Sequence, residues 1–395
     1  MDGTPTIRDV YFDSAWHTIL VSGQGPGWGK DHKWYYFALD ITDPSNPQPL
    51  WELTDDTMGE TWSVPAIGKV ESIGKWVTFF GSGYDTENPA EDIGNYFYAV
   101  DVEDGTLIKS FEITEDSEPD SPFGIQNTIP ASPTIVDQDI DGDIEYVYFG
   151  DLKGRLWKID LTEGTDQWSP SVIYRDPYYH PIITKLAGYI NQADSTIHLY
   201  FGTGGDDNAP SDASYSFIAC QDIGASSIDV EWYIGPEDLA GQLGISTDLK
   251  KDEFGLGEKV WADPIISDRI VYIATLWGSI ESLNPCLTLE GSGRIYARYI
   301  LGQGVGGSAL LGSEGKIAYF DTQQKVRSAV TVGEIQEIGQ EDPTTVRKVF
   351  IQSYTRPDAG SPEPPSEVLA QGVSSKRLVI KSWREIYKII KHIPF

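Results

Sequence analysis

The run Ser132-Pro133-Thr134-Ile135-Val136-Asp137-Gln138-Asp139-Ile140-Asp141-Gly142-Asp143-Ile144-Glu145-Tyr146-Val147-Tyr148-Phe149-Gly150 decides how the chain is read. Its centre, Asp137 to Glu145, places acidic residues at positions 1, 3, 5, 7 and 9 of a short loop, with Gly142 at position 6. A hard cation such as Ca²⁺ takes about six to eight oxygens in flexible geometry, and alternate residues of a tight loop can aim carboxylates at one centre. Gly142 permits the sharp turn that brings the later ligands back. The expected ligands are the side chains of Asp137, Asp139, Asp141 and Glu145 and the backbone carbonyl of Asp143, with Ca²⁺ as the ion. The bland alternative is an acidic, solvated turn.

The flanks exclude an EF-hand proper. That motif needs helices on both sides and a bidentate Glu at position 12, and position 12 here is Tyr148. Both flanks are β-branched and aromatic, which predicts strands. The expectation is an EF-hand-like calcium loop set in a β-hairpin.

Working outward, the same pattern recurs along the chain. A short strand carrying proline opens each unit: Pro5-Thr6-Ile7, Pro65-Ala66-Ile67, Pro133-Thr134-Ile135, Pro181-Ile182-Ile183 and Pro264-Ile265-Ile266, with Ser308-Ala309-Leu310 as a degenerate sixth copy. A hydrophobic strand follows, usually ending in glycine, as in Thr18 to Gly23, Trp76 to Gly81, Tyr146 to Gly150 and Ile197 to Gly202; Ile270 to Ala274 and Ile317 to Phe320 are the later copies. A third, aromatic strand ends near aspartate: Tyr36 to Asp40, Phe97 to Asp101 and Leu156 to Asp160, with weaker copies at Tyr215 to Cys220 and Arg294 to Ile300. A turn and an outer strand complete the unit, as in Asp101 to Ile108. Units of three or four strands without helical period predict an all-β fold, a β-propeller with six units visible. A single blade cannot bury both faces, and radial packing against neighbours does so. The chain reads as one domain over 1–395. Within it, residues 355–375 form a Pro-rich loop and 376–395 a closing C-terminal segment. Val346 to Ser353 and Arg377 to Tyr387 are candidates to complete the first blade. The basic, hydrophobic 376–395 segment is either that final strand or a docking segment for an acidic partner. A short turn of helix is expected over Glu237 to Leu243.

Composition agrees. The 395 residues include 40 Gly, 24 Pro, 12 Trp and 21 Tyr, which suits many short strands joined by turns. Trp28, Trp34, Trp51, Trp62, Trp157 and Trp168 are expected to pack between blades. The formal net charge is −31, which argues against nucleic acid and against an anionic membrane surface. No window of about 18 apolar residues is present, so no transmembrane segment is expected. Met1 leads straight into Asp2-Gly3-Thr4-Pro5 without a leader pattern, so the chain is expected either not to be exported alone or, the favoured reading, to be a fragment of a longer exported protein. Cys220 and Cys286 are either a disulfide or two buried thiols.

Other motifs fall away. Gly23 to Lys30 has the wrong glycine spacing for a phosphate loop, and Asp31 stands where Ser or Thr is needed. The five histidines show no metal spacing, and no catalytic set can be nominated. The acidic runs Glu115 to Asp120 and Asp206-Asp207 lack the alternating order and are expected to be solvated loops.

The chain resembles the C-terminal propeller of PilY-type type IV pilus proteins. The residues that carry the likeness are Ala15 to Val21 followed by Tyr36 to Pro44, Gly74 to Val77 with Gly81 to Tyr84, and Ser132 through the acidic loop. Tyr148 to Asp160, with its Gly-Asp-x-x-Gly-x-Leu-Trp tail, and Ser382 to Ile386 continue it. The resemblance implies a modified β-propeller, seven blades favoured over six. It also implies a non-enzymatic, exported protein at the pilus tip or cell surface that supports pilus assembly, extension–retraction control and surface attachment. Minor pilins are the implied partners. The host or abiotic surface would be met through an N-terminal adhesive region that this sequence lacks. Two alternatives stand beside this reading. One is a quinoprotein-like dehydrogenase, suggested by the turn at Ala99 to Thr106 but lacking an adjacent cysteine pair. The other is a generic calcium-binding adhesion propeller, which would favour loops in several blades.

Overall fold

The computed structural model describes residues 3–27, 29, 32–84, 93–113, 128–206, 209–224, 227–267, 269–277, 292–301, 306–309, 319–321, 331–336, 345–350 and 367–370. The chain divides into two compact units, Met1–Val260 and Trp261–Phe395.

The first unit holds four antiparallel sheets in chain order. Sheet 1 is β1 (Thr6–Phe12), β2 (Ala15–Gly23), β3 (Tyr36–Asp40) and β4 (Gln48–Leu53). Sheet 2 is β5 (Ala66–Val70), β6 (Lys75–Gly81), β7 (Tyr96–Asp101) and β8 (Leu107–Glu112). Sheet 3 is β9 (Thr134–Val136), β10 (Tyr146–Gly150), β11 (Arg155–Asp160) and β12 (Pro170–Arg175). Sheet 4 is β13 (Ala187–Asn191), β14 (Thr196–Gly202), β15 (Phe217–Asp222) and β16 (Ile228–Ile234). Each is a simple meander, which is the blade of a β-propeller. After the short helix α1 (Leu239–Leu243), β17 (Lys250–Asp252) adds to β16 in parallel, and β18 (Lys259–Val260) ends the unit.

Strict alternation buries both faces of a sheet at once. On β10, Val147 and Phe149 enter a core shared with sheet 2, built around Phe79, Phe97 and Ile129. Tyr148, between them, enters a core shared with sheet 4, built around Leu199, Phe201 and Ile218. A third cluster joins sheets 1 and 2 through Ile19, Val21, Tyr36, Phe80 and Tyr98. Stacked rings cross these seams: Tyr36 on Phe80 at 3.8 Å and Phe97 on Phe149 at 3.9 Å between centroids. The innermost strands of successive sheets, β1, β5, β9 and β13, lie against one another.

Two features of the sequence repeat have a shared physical cause. The glycine closing the second strand of each sheet sits where the chain entering the next sheet crosses it. A Cβ would lie 2.4 Å from the Thr61 carbonyl oxygen at Gly23, 2.1 Å from that of Ile129 at Gly81, 2.1 Å from that of Ile182 at Gly150, and 2.3 Å from Val260 at Gly202. The aspartate closing the third strand caps the following turn with its carboxylate, accepting the N–H two residues on: Asp40 from Thr42 (2.9 Å), Asp101 from Glu103 (3.0 Å), Asp160 from Thr162 (2.9 Å) and Asp222 from Gly224 (3.0 Å). The four outer strand pairs also share a register shift, at Ala38/Leu39, Ala99/Val100, Leu156/Trp157 and Ala219/Cys220. Such bulges strengthen local twist.

The family-like tail after β10 has its own logic. The Asp151 carboxylate is fully buried and accepts four donors: the N–H groups of Lys153 and Arg155 (both 3.0 Å), Arg155 Nε (2.7 Å) and Trp157 Nε1 (2.8 Å).

In the second unit, β19 (Ile265–Ser267), β20 (Ile270–Trp277), β21 (Ser292–Tyr299) and β22 (Phe320–Asp321) pair in sequence. A further sheet holds β23 (Thr331–Gln336), β24 (Thr345–Phe350) and β25 (Glu367–Ala370).

Several expectations need correction. Pro181-Ile182-Ile183 is not the first strand of its unit; β13 begins at Ala187. Residues 181–183 are the linker crossing Gly150, with Ile182 N–H donating to the Asp151 carbonyl at 3.0 Å. Sheet 1 takes all four strands from residues 6–53, and β24 pairs with β23 and β25 instead of completing the first blade. Glu367–Ala370, read as part of a Pro-rich loop, is a strand paired with β24. Trp51, Trp157 and Trp168 are buried as expected, whereas Trp62 is exposed and donates its indole N–H to Glu60. Cys220 is a buried free thiol. Trp28, Cys286, Glu115 to Asp120 and 376–395 lie outside the described residues.

Candidate metal centre

The acidic loop joins β9 to β10, the two inner strands of sheet 3, which pair from Val136–Tyr146 to Thr134–Tyr148. The hairpin therefore fixes both ends of the loop. Val136 accepts the Glu145 N–H at 3.0 Å, and the Glu145 carbonyl accepts from Leu161 at 2.8 Å. Within the loop the backbone turns twice through the left-handed region, at Ile140 (φ 64°) and Gly142 (φ 102°). Such values suit glycine and are uncommon for a β-branched residue. Ile140 adopts one with its side chain exposed to solvent.

This folding gathers Asp137, Asp139, Asp141 and Glu145, with one carboxylate oxygen of each within 4.8 Å of all the others. Asp139 and Asp141 are exposed, while Asp137 and Glu145 are half-buried. Backbone donors hold the carboxylates in place. Asp137 accepts the N–H of Asp141 (3.1 Å) and Gly142 (2.9 Å), Asp141 accepts that of Asp143 (2.8 Å), and Glu145 accepts that of Gln138 (2.5 Å). Burial pushes the Glu145 carboxyl above its ordinary range. The Gln138 N–H opposes that shift, and the charges of Asp139, Asp137 and Asp141 add to it. Four carboxylates so close repel one another, and a hard dication with oxygen ligands relieves that repulsion. The donor set, all oxygen and anionic, fits Ca²⁺ and does not suit a soft metal.

Asp143 stands apart from the cluster. Its side chain turns to Lys69 of β5, with both carboxylate oxygens 2.8 Å from Nζ. That leaves only its backbone carbonyl for the role assigned from sequence. The neighbouring Ile144 N–H donates to the Lys69 carbonyl at 2.8 Å, and the Ile144 side chain fills the space over Gly68. On the other flank, Gln138 Nε2 donates to the Ser195 carbonyl at 2.8 Å, in the β13–β14 turn. Lys69, Gln138 and Ser195 escape sequence reasoning, because their partners lie 74 and 57 residues away.

Strand order puts the acidic loop at one end of sheet 3 and a cavity of about 530 Å³ near the other. Pro177, Tyr178, Tyr179, His180, Ala213, Ser214, Pro236 and Asp238 line it. Beneath it, burial lowers His180 to about 4 and raises Asp176 to about 7. At neutral pH the imidazole is therefore uncharged. Asp206, read as part of a solvated loop, is buried.

Residues 1–177 match the PilY1 beta-propeller domain family. The type IV pilus biogenesis factor PilY1 of Pseudomonas aeruginosa (strain UCBPP-PA14) is 35% identical over 173 residues, covering 43% of this chain and 14% of that protein. A type IV pilus biogenesis factor PilY1 homolog of Xylella fastidiosa (strain Temecula1) is 34% identical over 190 residues, 46% of this chain and 12% of the homolog. The chain thus matches only a small part of each relative's length. In three dimensions it resembles the crystal structure of the P. aeruginosa PilY1 C-terminal domain with a TM-score of 0.58 and 19% identity, over 88% of this chain and 82% of that domain. No helix among the described residues is long and apolar enough to cross a membrane.

Proposed function

We propose that this chain, whose residues 1–177 match the PilY1 beta-propeller domain family, is a calcium-binding, non-enzymatic module of type IV pilus biogenesis. The relatives are named as pilus biogenesis factors, which supports pilus components, minor pilins first, as the partners. Surface or pilus-tip location follows from the same reading, as do support of pilus assembly, control of extension and retraction, and attachment. A propeller of seven blades suits the family.

The observation that carries the calcium part is the convergence of Asp137, Asp139, Asp141 and Glu145 on one point of a rigid hairpin. These side chains and the Asp143 carbonyl would hold the ion, which supplies charge neutralisation and cross-linking of the loop. His180 beside the cavity is buried and stays uncharged at neutral pH, which suits it poorly to work as a general acid there.

The test is genetic. Deleting the gene in its source bacterium is expected to remove surface pili from cells, and re-expressing the wild-type protein to restore them. Re-expressing a protein with Asp137→Ala and Asp141→Ala is expected to restore pili with altered retraction, read as twitching. Normal piliation in the deletion strain would overturn the pilus assignment. Normal twitching with the loop variant would overturn the calcium control.

A further inference from the structure

The acidic loop touches three sheets, not one. Asp143 binds Lys69 through both oxygens at 2.8 Å, and Lys69 and Asp143 also form a parallel backbone bridge. Ile144 donates to the Lys69 carbonyl and packs in the core that joins sheets 2 and 3. Gln138 donates to Ser195 in sheet 4. Positions 2 and 7 of the loop, the two polar positions whose side chains are not assigned to the ion, therefore both reach the neighbouring sheets, beside the apolar contact of Ile144 at position 8.

We propose that the loop is an inter-blade clasp. Lys69 and Ser195 are its anchors, Asp143 and Gln138 its arms, and ion binding at the centre tightens the seams between sheets 2, 3 and 4. The inference rests on the calcium reading above and goes beyond it, because a hairpin site alone would affect only its own loop.

Four like charges at the centre push the loop apart, and a dication draws Asp137, Asp139, Asp141 and Glu145 together. Gln138 lies between two of those ligands, and its own N–H holds the Glu145 carboxylate. Asp143 follows Gly142, whose φ of 102° sets the turn, and its N–H holds the Asp141 carboxylate. Fixing the ligands therefore fixes the backbone from which both arms project. The Lys69–Asp143 pair matters here as a tether: Asp143 is nearly buried while Lys69 is half-exposed, a setting in which an ion pair keeps more of its strength than at the surface. Lys69 also satisfies a carboxylate that would otherwise add a fifth negative charge to the cluster. The Lys69 and Asp143 side chains act through the loop backbone, so their pairing positions the site, while the Asp143 carbonyl keeps its place as a ligand.

Hydrogen exchange on the full chain, with and without Ca²⁺, tests the clasp, and calorimetry on the same samples reports binding. Calcium is expected to slow exchange by roughly fivefold or more in peptides covering 66–70 and 191–196 as well as 137–145. In Gln138→Ala, protection at 191–196 is lost, protection at 66–70 stays, and calcium affinity changes by less than about threefold. In Lys69→Met, protection at 66–70 is lost while 191–196 keeps it; Lys69→Arg restores it. Calcium binding with protection confined to 137–145, or Gln138→Ala with unchanged protection at 191–196, overturns the clasp and leaves the site reading intact. Absence of any calcium binding by the wild-type chain overturns the site reading, and the clasp with it.

Discussion

Lys158 of β11 and Asp222 of β15 form an ion pair across the seam between sheets 3 and 4, Nζ to Oδ2 2.6 Å, with 8% and 2% of their side chains exposed. The same oxygen accepts the Tyr148 hydroxyl at 2.5 Å, while Asp222 Oδ1 caps Gly224. The ammonium also lies 3.9 Å from the centre of the Tyr146 ring. Breaking a buried pair leaves an uncompensated charge and costs about 3–5 kcal/mol. Lys158→Met is expected to lower unfolding stability by about that amount in urea titrations, and Lys158→Met with Asp222→Asn by clearly less, since both charges are then gone. Equal losses in the single and double variants would show that the pair does not couple the sheets.

The close crossing at Gly150 makes a second prediction. A Cβ there would stand 2.1 Å from the Ile182 carbonyl oxygen, a backbone atom that cannot swing away. Gly150→Ala is expected to destabilise by about 1–3 kcal/mol, as overpacking does. Gly164→Ala is the control, because nothing lies within 4 Å of a Cβ at that position. Similar urea midpoints for the two variants would contradict the crossing.

The third prediction concerns pH. Burial pushes Asp176 from 3.8 up to about 7, against the His180 and Tyr178 N–H groups and the Tyr174 hydroxyl, which pull it down. The folded state thus holds a proton that the unfolded state releases. This group's contribution to stability is full below about pH 3.8 and is lost as pH rises through 7. Burial alone moves His180 the other way, from 6.5 to about 4, so its contribution is present above 6.5 and is lost as pH falls to 4. The two slopes oppose each other in between. Asp176→Asn, which stays neutral, is expected to be more stable than wild type at pH 8, with the advantage fading towards pH 4. Denaturant titrations at pH 4, 6 and 8 read this, and a pH-independent difference would contradict it.

The repeat was legible because physics imposes it on residue types. Glycine is required where a linker backbone crosses a strand end, and aspartate where a carboxylate caps a turn. Gly23, Gly81, Gly150 and Gly202, with Asp40, Asp101, Asp160 and Asp222, therefore mark the sheets. The four clustered carboxylates were legible for the same reason: local spacing alone brings them together. What escaped was non-local. Pro181-Ile182-Ile183 has strand composition, but its backbone is committed to the crossing at Gly150. Trp62 resembles the packing tryptophans, yet its indole faces Glu60 at the surface. Lys69 carries no mark of its partnership with Asp143, since only the packing of sheet 2 on sheet 3 brings them together.

The central claim is that Asp137, Asp139, Asp141 and Glu145 hold one calcium ion. Isothermal titration of the full chain with Ca²⁺ tests it, with Asp141→Ala beside the wild type and far-ultraviolet circular dichroism to confirm that both are folded. The account predicts about one ion bound per wild-type chain, with stabilisation of about 2.7 kcal/mol at calcium a hundredfold above the dissociation constant, and no binding by the folded variant. A wild-type chain that takes up no calcium, or an Asp141→Ala chain that binds it with unchanged affinity, would contradict it.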